Sequence, residues 1–271
     1  MSDLRQSPEY ARFMEKIGWK VEECRIENVK CKIFIKRLPL LGSFIKICRP
    51  GQSPLKQIDQ IAKKYRAFAV QINYSPTKTL QLDLTQSEEK IFAQFKKDAR
   101  YEIRKAEENK ILVKKSDDIE SFIKIWHKNA LRRGFWIPFA REIRSIYKAF
   151  GKNAYLILSY LSNLSHPVSG ALVLISGPTA YYFSAASTPE GRKLSAPYLI
   201  VWEAIKLAKD KGCQIFDFEG IYDERFPQKS WLGFSHFKKS FGGKEVEFSA
   251  PFIKFSNPAL NFLGHLHTPG V

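Results

Sequence analysis

The stretch Ser187-Thr-Pro-Glu-Gly-Arg-Lys-Leu-Ser-Ala-Pro-Tyr198 decides how this chain folds. Before it, residues 180–187 are apolar enough for a buried strand. After it, residues 197–211 form a helical pattern with proline in the first turn and Gly212 just past the end, the asymmetry of a helix that starts on a fixed φ and stops on a permissive residue. The stretch is therefore a strand-to-helix loop. A helix N-terminus in such a place offers backbone N–H groups to an anion. Here Ser195 and Pro197 stand at that N-terminus, and proline has no N–H to give. Arg192 keeps a positive charge at the mouth of the same helix, where a guanidinium can grip phosphate directly; on spacing alone a surface arginine reads equally well.

Working outward, residues 154–161 and 167–175 also read as strands, with turn signals at Ser165-His166-Pro167 and Gly177-Pro178. Ahead of them lie helical patterns at 87–109, 118–133 and 139–150, the first capped by Thr85 or Ser87. Beyond the loop come a strand at 214–218, a short helix at 234–241 and a strand at 244–248. This order resembles an acyltransferase domain of the GNAT type. Acetyl-CoA-dependent members carry Arg/Gln-x-x-Gly-x-Gly/Ala in the loop, so the resemblance implies a damaged coenzyme A cradle, and no cofactor is expected. The first 86 residues, with helices at 8–17 and 55–65 and strands at 19–26, 29–35, 44–48, 67–74 and 79–84, look like a shortened version of the same plan, with an Arg49-Pro50-Gly51 turn after the third strand. The expected fold is α/β: two GNAT-like domains of mixed sheets flanked by helices, spanning 1–86 and 87–253, with a tail at 254–271.

The chain has 271 residues, 44% of them hydrophobic, and its 44 Lys and Arg exceed its 27 Asp and Glu by 17. That much apolar material excludes a disordered chain, and the positive field points to a polyanionic partner such as nucleic acid, a phosphorylated substrate or an anionic membrane surface. The excess is uneven: residues 111–156 hold 10 Lys and Arg against 4 Asp and Glu. The first fifteen residues lack the basic region and apolar run of a secretory signal, and no stretch approaches the roughly 20 apolar residues of a spanning helix. A cytoplasmic protein is expected, with any membrane contact peripheral at the inner face. Cys24, Cys31, Cys48 and Cys213 show neither zinc-site spacing nor a disulfide framework, and no metal is expected.

No serine or cysteine nucleophile with a base in usable context is present, which argues against covalent catalysis. Asp83, at the end of an alternating strand, reads either as a group that orients an amine or as a strand-end cap. In Gly233-Phe-Ser-His-Phe-Lys-Lys-Ser-Phe-Gly-Gly243, adjacent lysines precede a double glycine. With Phe237 in the core, Lys238 and Lys239 must point different ways, one available to an oxyanion or phosphate and the other to solvent.

Several blocks resemble the FemABX family of aminoacyl-tRNA-dependent peptidyltransferases. They are Ser7-Pro-Glu-Tyr-Ala with Gly18-Trp-Lys-Val21, the Arg49-Pro-Gly51 turn, and Thr79-Leu-Gln-Leu-Asp-Leu84 leading into Phe95-Lys-Lys-Asp-Ala-Arg-Tyr-Glu-Ile-Arg-Lys-Ala106. Ala196-Pro-Tyr-Leu-Ile-Val-Trp-Glu-Ala-Ile205, Phe216-Asp-Phe-Glu-Gly-Ile221 and Phe237-Lys-Lys-Ser-Phe-Gly-Gly243 follow in the same order. The resemblance implies an enzyme that adds an amino acid from aminoacyl-tRNA to a UDP-linked or lipid-linked peptidoglycan precursor. It implies Lys238, beside Phe237, at the tRNA terminus and the transition-state charge, Asp83 at the amine, and Arg192 on the precursor phosphates. Tyr198 and Lys16 match the precursor site more loosely. The first domain is short and the coiled-coil arm of some members is missing. Two rival readings stand beside it: an acyltransferase using a small acyl donor, and an RNA-binding protein without chemistry.

Overall fold

In the computed structural model, which describes residues 3–26, 29–48, 55–73, 76–132, 139–161 and 166–257, two mixed sheets organise the chain. The elements begin with α1 (Pro8–Lys16), β1 (Lys20–Ile26), β2 (Val29–Leu38), β3 (Gly42–Ile47), α2 (Leu55–Lys64), β4 (Ala67–Ile72) and β5 (Lys78–Asp83). Next come α3 (Glu88–Ala93), α4 (Lys97–Glu108), β6 (Leu112–Ser116), α5 (Ile119–Arg132), α6 (Phe139–Phe150), β7 (Ala154–Tyr160), β8 (Pro167–Ser176) and β9 (Thr179–Ser187). The chain continues through α7 (Pro189–Lys193), α8 (Ala196–Asp210), β10 (Ile215–Gly220), α9 (Leu232–Lys239), β11 (Lys244–Glu247) and β12 (Phe252–Phe255).

Contacts divide the chain into two units, one of residues 1–78, 222–229 and 247–271, the other of 79–221 and 230–246. The first holds a five-stranded sheet in the order β1-β2-β3-β4-β12, antiparallel except for β3 and β4. One face packs Ile33, Ile35, Ile45, Ile47, Val70 and Ile72 with Ile58 of α2. On the other face Phe34 meets Tyr10 of α1, their rings 5.8 Å apart. Ser7 caps α1 by accepting from the Tyr10 N–H at 3.0 Å, with Pro8 in the first turn, so the sequence sets this helix start locally.

The second unit holds a seven-stranded sheet in the order β11-β5-β10-β9-β8-β7-β6. Pairs with a recorded register are antiparallel except β9 with β10. Its core gathers Leu80, Leu82, Phe216 and Phe218 from the strands, Ile103 from α4, and Ile200 and Val201 from α8. Each such side chain contributes roughly 1.5–3 kcal/mol by leaving water.

Three features depart from the sequence expectations. β5 lies between β11 and β10, so the unit boundary falls after residue 78 rather than 86, and residues 222–229 and the chain from 247 belong to the first unit. β12 pairs with β4 from Phe252↔Ile72 to Phe255↔Ala69, so the tail expected from 254 starts inside a strand; residues 258–271, like the Arg49-Pro50-Gly51 turn and Ser165, lie outside the described residues. The single helix expected at 87–109 is two. Between them Phe95 is buried against Trp202 and Phe241, with ring centroids 5.5 and 5.2 Å away, and the Lys96 N–H donates to the Ser240 carbonyl at 2.8 Å. No glycine or proline marks this break, because long-range packing makes it.

All four cysteines are free, and Cys24 and Cys31 are direct cross-strand partners with Sγ atoms 3.3 Å apart. Among the described residues no helix is long and apolar enough to cross a membrane.

Candidate functional site

In the second unit, the parallel register of β9 and β10 runs from Thr179↔Ile215 to Tyr181↔Asp217, although β9 continues to Ser187 and β10 to Gly220. Beyond Asp217 the edge of β10 is thus released from β9. On its other side the pairing with β5 shifts between Asp217 and Gly220, a bulge. Glu219 sits in that bulge with φ of 59°, a left-handed conformation that favours glycine. Phe216 and Phe218 alternate into the core, and the bulge re-aims the residues that follow.

Asp217 is buried on the opposite face. Its carboxylate accepts from the Thr79 hydroxyl, from the Gln81 amide at 2.8 Å and from the Glu219 N–H at 2.7 Å. Burial, followed by the Glu219 charge, raises its pKa against the lowering effect of these hydrogen bonds. Gly243, at the start of β11, supports the same corner: it has φ of 94°, and a Cβ there would stand 2.7 Å from the Gln81 carbonyl, so only glycine lets the two strands approach.

Lys238, near the end of α9, reaches the end of β10. Its ammonium donates to the Gly220 carbonyl at 2.7 Å and lies 5.0 Å from the centre of the Phe234 ring, one helical turn back. Loss of surrounding water pushes its pKa down to about 8, against the pull of Glu219 and Asp217, although part of the side chain remains exposed. Among the described residues no carboxylate stands within ion-pair distance of it. Lys239, the next residue, pairs with Glu245 at 2.5 Å, so the two lysines do diverge as the core position of their neighbour requires.

Tyr198, in the first turn of α8, and Phe237 complete the wall, with ring centroids 4.9 Å apart and Phe241 beneath both at 5.7 and 5.3 Å. Burial, then Glu102 and Asp98, raises the Tyr198 pKa. The arrangement therefore assembles one desolvated cation, one carboxylate carried on a left-handed backbone, one buried carboxylate and an edge of aromatic rings. Such a set can hold an anion or a developing oxyanion and orient an amine, and it contains no nucleophile–base pair.

The other expected site residues fall elsewhere. Asp83 is exposed and holds a turn, accepting from the Thr85 N–H at 2.9 Å and its hydroxyl at 2.7 Å; those bonds lower its pKa. It pairs with Ile215, the first residue of β10, whereas Lys238 binds Gly220, the last, a separation of about 16 Å at 3.3 Å per strand residue. The strand-end cap is the reading the geometry supports. Arg192, exposed on α7, donates to the Ser187 carbonyl at the end of β9 and approaches the side-chain Oδ1 of Asn129 at 3.5 Å. Lys16 is the exposed last residue of α1 in the first unit. Asp217, Glu219, Thr79 and Gln81 were given no role by the sequence; two carboxylates alternating with phenylalanines in Phe216-Asp-Phe-Glu219, on an inner strand, are the signal that could have found the first two.

Coenzyme A does not fit the loop before α8. Ser195 adopts φ of 63°, as a glycine would, but its buried hydroxyl donates to the Glu102 carboxylate of α4, and Pro197 removes an N–H from the first turn. A pyrophosphate there would meet a carboxylate in place of a ring of N–H donors. Among the described residues no group of His, Cys, Asp or Glu could hold a metal ion.

The family model described as the FemAB family matches residues 29–166 and 162–265. Among solved structures, "Crystal structure of FemX" superposes with a TM-score of 0.80 at 18% identity, covering 97% of this chain and 94% of that one. The C-terminal domain of a putative lysylphosphatidylglycerol synthetase from Agrobacterium fabrum follows, with a TM-score of 0.62 at 12% identity over 99% and 95% of the two chains. L-PGS from Bacillus licheniformis gives 0.54 at 11%, over 95% and 96%. No curated protein matches the chain by sequence.

Proposed function

Given that this chain belongs to the FemAB family of aminoacyltransferases, we propose that it moves an amino acid from aminoacyl-tRNA to an amine of a peptidoglycan precursor in the cytoplasm. The observation that carries this reading is Lys238, a desolvated ammonium with a carbonyl and an aromatic face for partners, at the bulged end of β10. In the reaction the amine nitrogen attacks the ester carbonyl carbon, an amide C–N bond forms, the C–O bond to the ribose breaks, and the amine proton ends on the ribose oxygen. The ester is already activated, so catalysis reduces to positioning and charge stabilisation. Lys238 as its ammonium stabilises the oxyanion. Glu219 takes the amine-orienting role in place of Asp83, whose carboxylate accepts from Thr85 in a turn. Tyr198 and Phe237 form the wall against which the substrates lie, and Arg192 remains the candidate for the precursor phosphates.

The test is a transfer assay with purified protein, a pool of charged tRNAs and a mixture of UDP-linked and lipid-linked precursors, read by the mass added to the acceptor. An added aminoacyl residue that depends on the ester link supports the reading. Acylation from acetyl-CoA, or equal binding of charged and uncharged RNA without product, would sink it.

A further inference from the structure

At one end of the first unit, β2 turns into β3 through Pro39-Leu40-Leu41. Leu40 is completely exposed and Leu41 is 64% exposed. Leu40 also has φ of 65°, where asparagine or glycine would be relaxed and better hydrated. The tip thus carries an unfavourable backbone and an unfavourable hydration, and neither leucine is covered by the chain. The turn is held in place all the same. Gly42 has φ of 93° with room for no Cβ, since one would stand 2.3 Å from the Arg66 carbonyl, and the Ser43 N–H donates to that carbonyl at 3.1 Å.

The charge around the tip is predominantly positive. Arg37 precedes it and is exposed, and β4 starts beside Ser43, which brings exposed Arg66 and the last turn of α2, with Lys63 and Lys64, to the same end. The carboxylate of Glu22 on β1 is neutralised by Lys20 at 2.6 Å and Lys64 at 3.8 Å. Further in, the half-buried indole of Trp19 lies under the ammonium groups of Lys36 and Lys46, at 5.9 and 5.3 Å.

We infer that this end of the first unit docks on an anionic lipid bilayer, with Leu40 and Leu41 entering the acyl region and the surrounding cations meeting lipid phosphates. A protruding two-leucine tip needs no shaped pocket in a fluid bilayer. Apolar insertion and a basic rim are each weak alone and together give stable peripheral binding. The net charge of +17 acts in the same direction. The inference does not depend on the transfer chemistry.

The experiment is co-sedimentation of the full chain with phosphatidylcholine vesicles, with and without phosphatidylglycerol, over a series of salt concentrations. Binding is expected only with phosphatidylglycerol and should weaken as salt rises. The pair Leu40→Asn and Leu41→Ser should bind at least about tenfold more weakly, given the apolar surface removed from the tip. Because asparagine tolerates the left-handed φ better than leucine, this variant should unfold thermally at or above the parent's midpoint, which separates lost docking from lost folding. In a Leu40→Trp variant, brominated lipid should quench the added fluorescence. Failure of the parent to sediment with phosphatidylglycerol vesicles, undiminished binding by the double variant, or a leucine-dependent dimer that ignores vesicles would each overturn the proposal.

Discussion

Two lysines, Lys78 and Lys238, meet different surroundings, the first buried and the second half-buried. Lys78, at the start of β5, is 6% exposed and sits between two carboxylates, Glu224 at 3.1 Å and Glu247 at 3.3 Å. Beside it Arg225 grips the buried Asp223 at 2.7 Å and approaches Glu247 at 3.6 Å. Lys238 has lost its water as well, but it faces a carbonyl and a phenyl ring, with the charges of Glu219 and Asp217 acting only at a distance. The first arrangement neutralises a cation to hold the fold. The second leaves a charge undercompensated, which folding alone does not favour and which a negatively charged guest would complete.

Replacing each lysine by methionine separates the two roles most sharply. Lys238→Met should reduce aminoacyl transfer by about 10²–10³-fold, the usual consequence of removing one preorganised group at an oxyanion, while leaving stability unchanged or slightly higher. Lys78→Met should leave the rate near that of the parent and lower stability by about 1 kcal/mol, a modest figure because its two carboxylates stay largely hydrated. Initial rates and urea midpoints on both variants decide the matter, and a rate loss shared equally would erase the contrast. The parent should also lose activity as pH rises through about 8, because the acting form is the ammonium; a rate that rises through that point would make Lys238 a base instead.

Two of the buried aspartates, Asp217 and Asp223, extend the comparison with a smaller effect. Asp217 accepts three donors, so Asp217→Asn turns an N–H toward one of them and should lower stability by about 2–3 kcal/mol, with transfer falling as the bulge loosens. Asp223 behaves oppositely with pH. Burial raises its pKa, but the bonds from Arg225 outweigh that and hold it at about 2, below the ordinary 3.8. A carboxyl with a depressed folded pKa stabilises above its unfolded value, and that contribution, about 2 kcal/mol, is lost as pH falls from 3.8 through about 2. Asp217, raised by burial, has the reverse sign and weighs against the fold as pH rises through its folded pKa. Urea midpoints from neutral to acid pH should show a drop that Asp223→Asn abolishes and Asp217→Asn does not.

What the sequence disclosed follows the range of the forces involved. The α1 start was legible because Ser7 and Pro8 set it locally, and the α8 start because Pro197 does. Lys238 and its divergence from Lys239 followed from the single constraint that Phe237 packs inward. The break at Phe95 depends on Trp202 and Phe241, more than a hundred residues away, so no local residue recorded it. β6 was missed because Leu112-Val-Lys-Lys-Ser116 is a short edge strand whose lysines face water, a polar pattern that suits an edge and hides a strand. At the candidate site, Asp83 stands at a strand end, where in sequence a cap and a catalytic group look alike. The carboxylates at the other end of β10 acquire their meaning from a bulge, and a bulge is a relation between two strands.

That bulge supplies the smallest and most discriminating effect. Glu219 holds φ of 59° beside Lys238, a backbone state that favours glycine and disfavours glutamate. Glu219→Gly should relieve this strain and, after the added entropy of glycine in the unfolded chain, raise stability by about 0.5–1 kcal/mol, or about 1–3 °C in the midpoint of thermal unfolding. It also removes a negative charge that supports the Lys238 ammonium, so the falling limb of the pH–rate profile should move to lower pH. Glu219→Gln keeps the left-handed residue and deletes only the charge, and it should move the limb without the gain in stability. Should the glycine variant prove less stable than the parent, the side chain of Glu219 holds the bulge through its contacts, and its conformation serves the fold rather than the site.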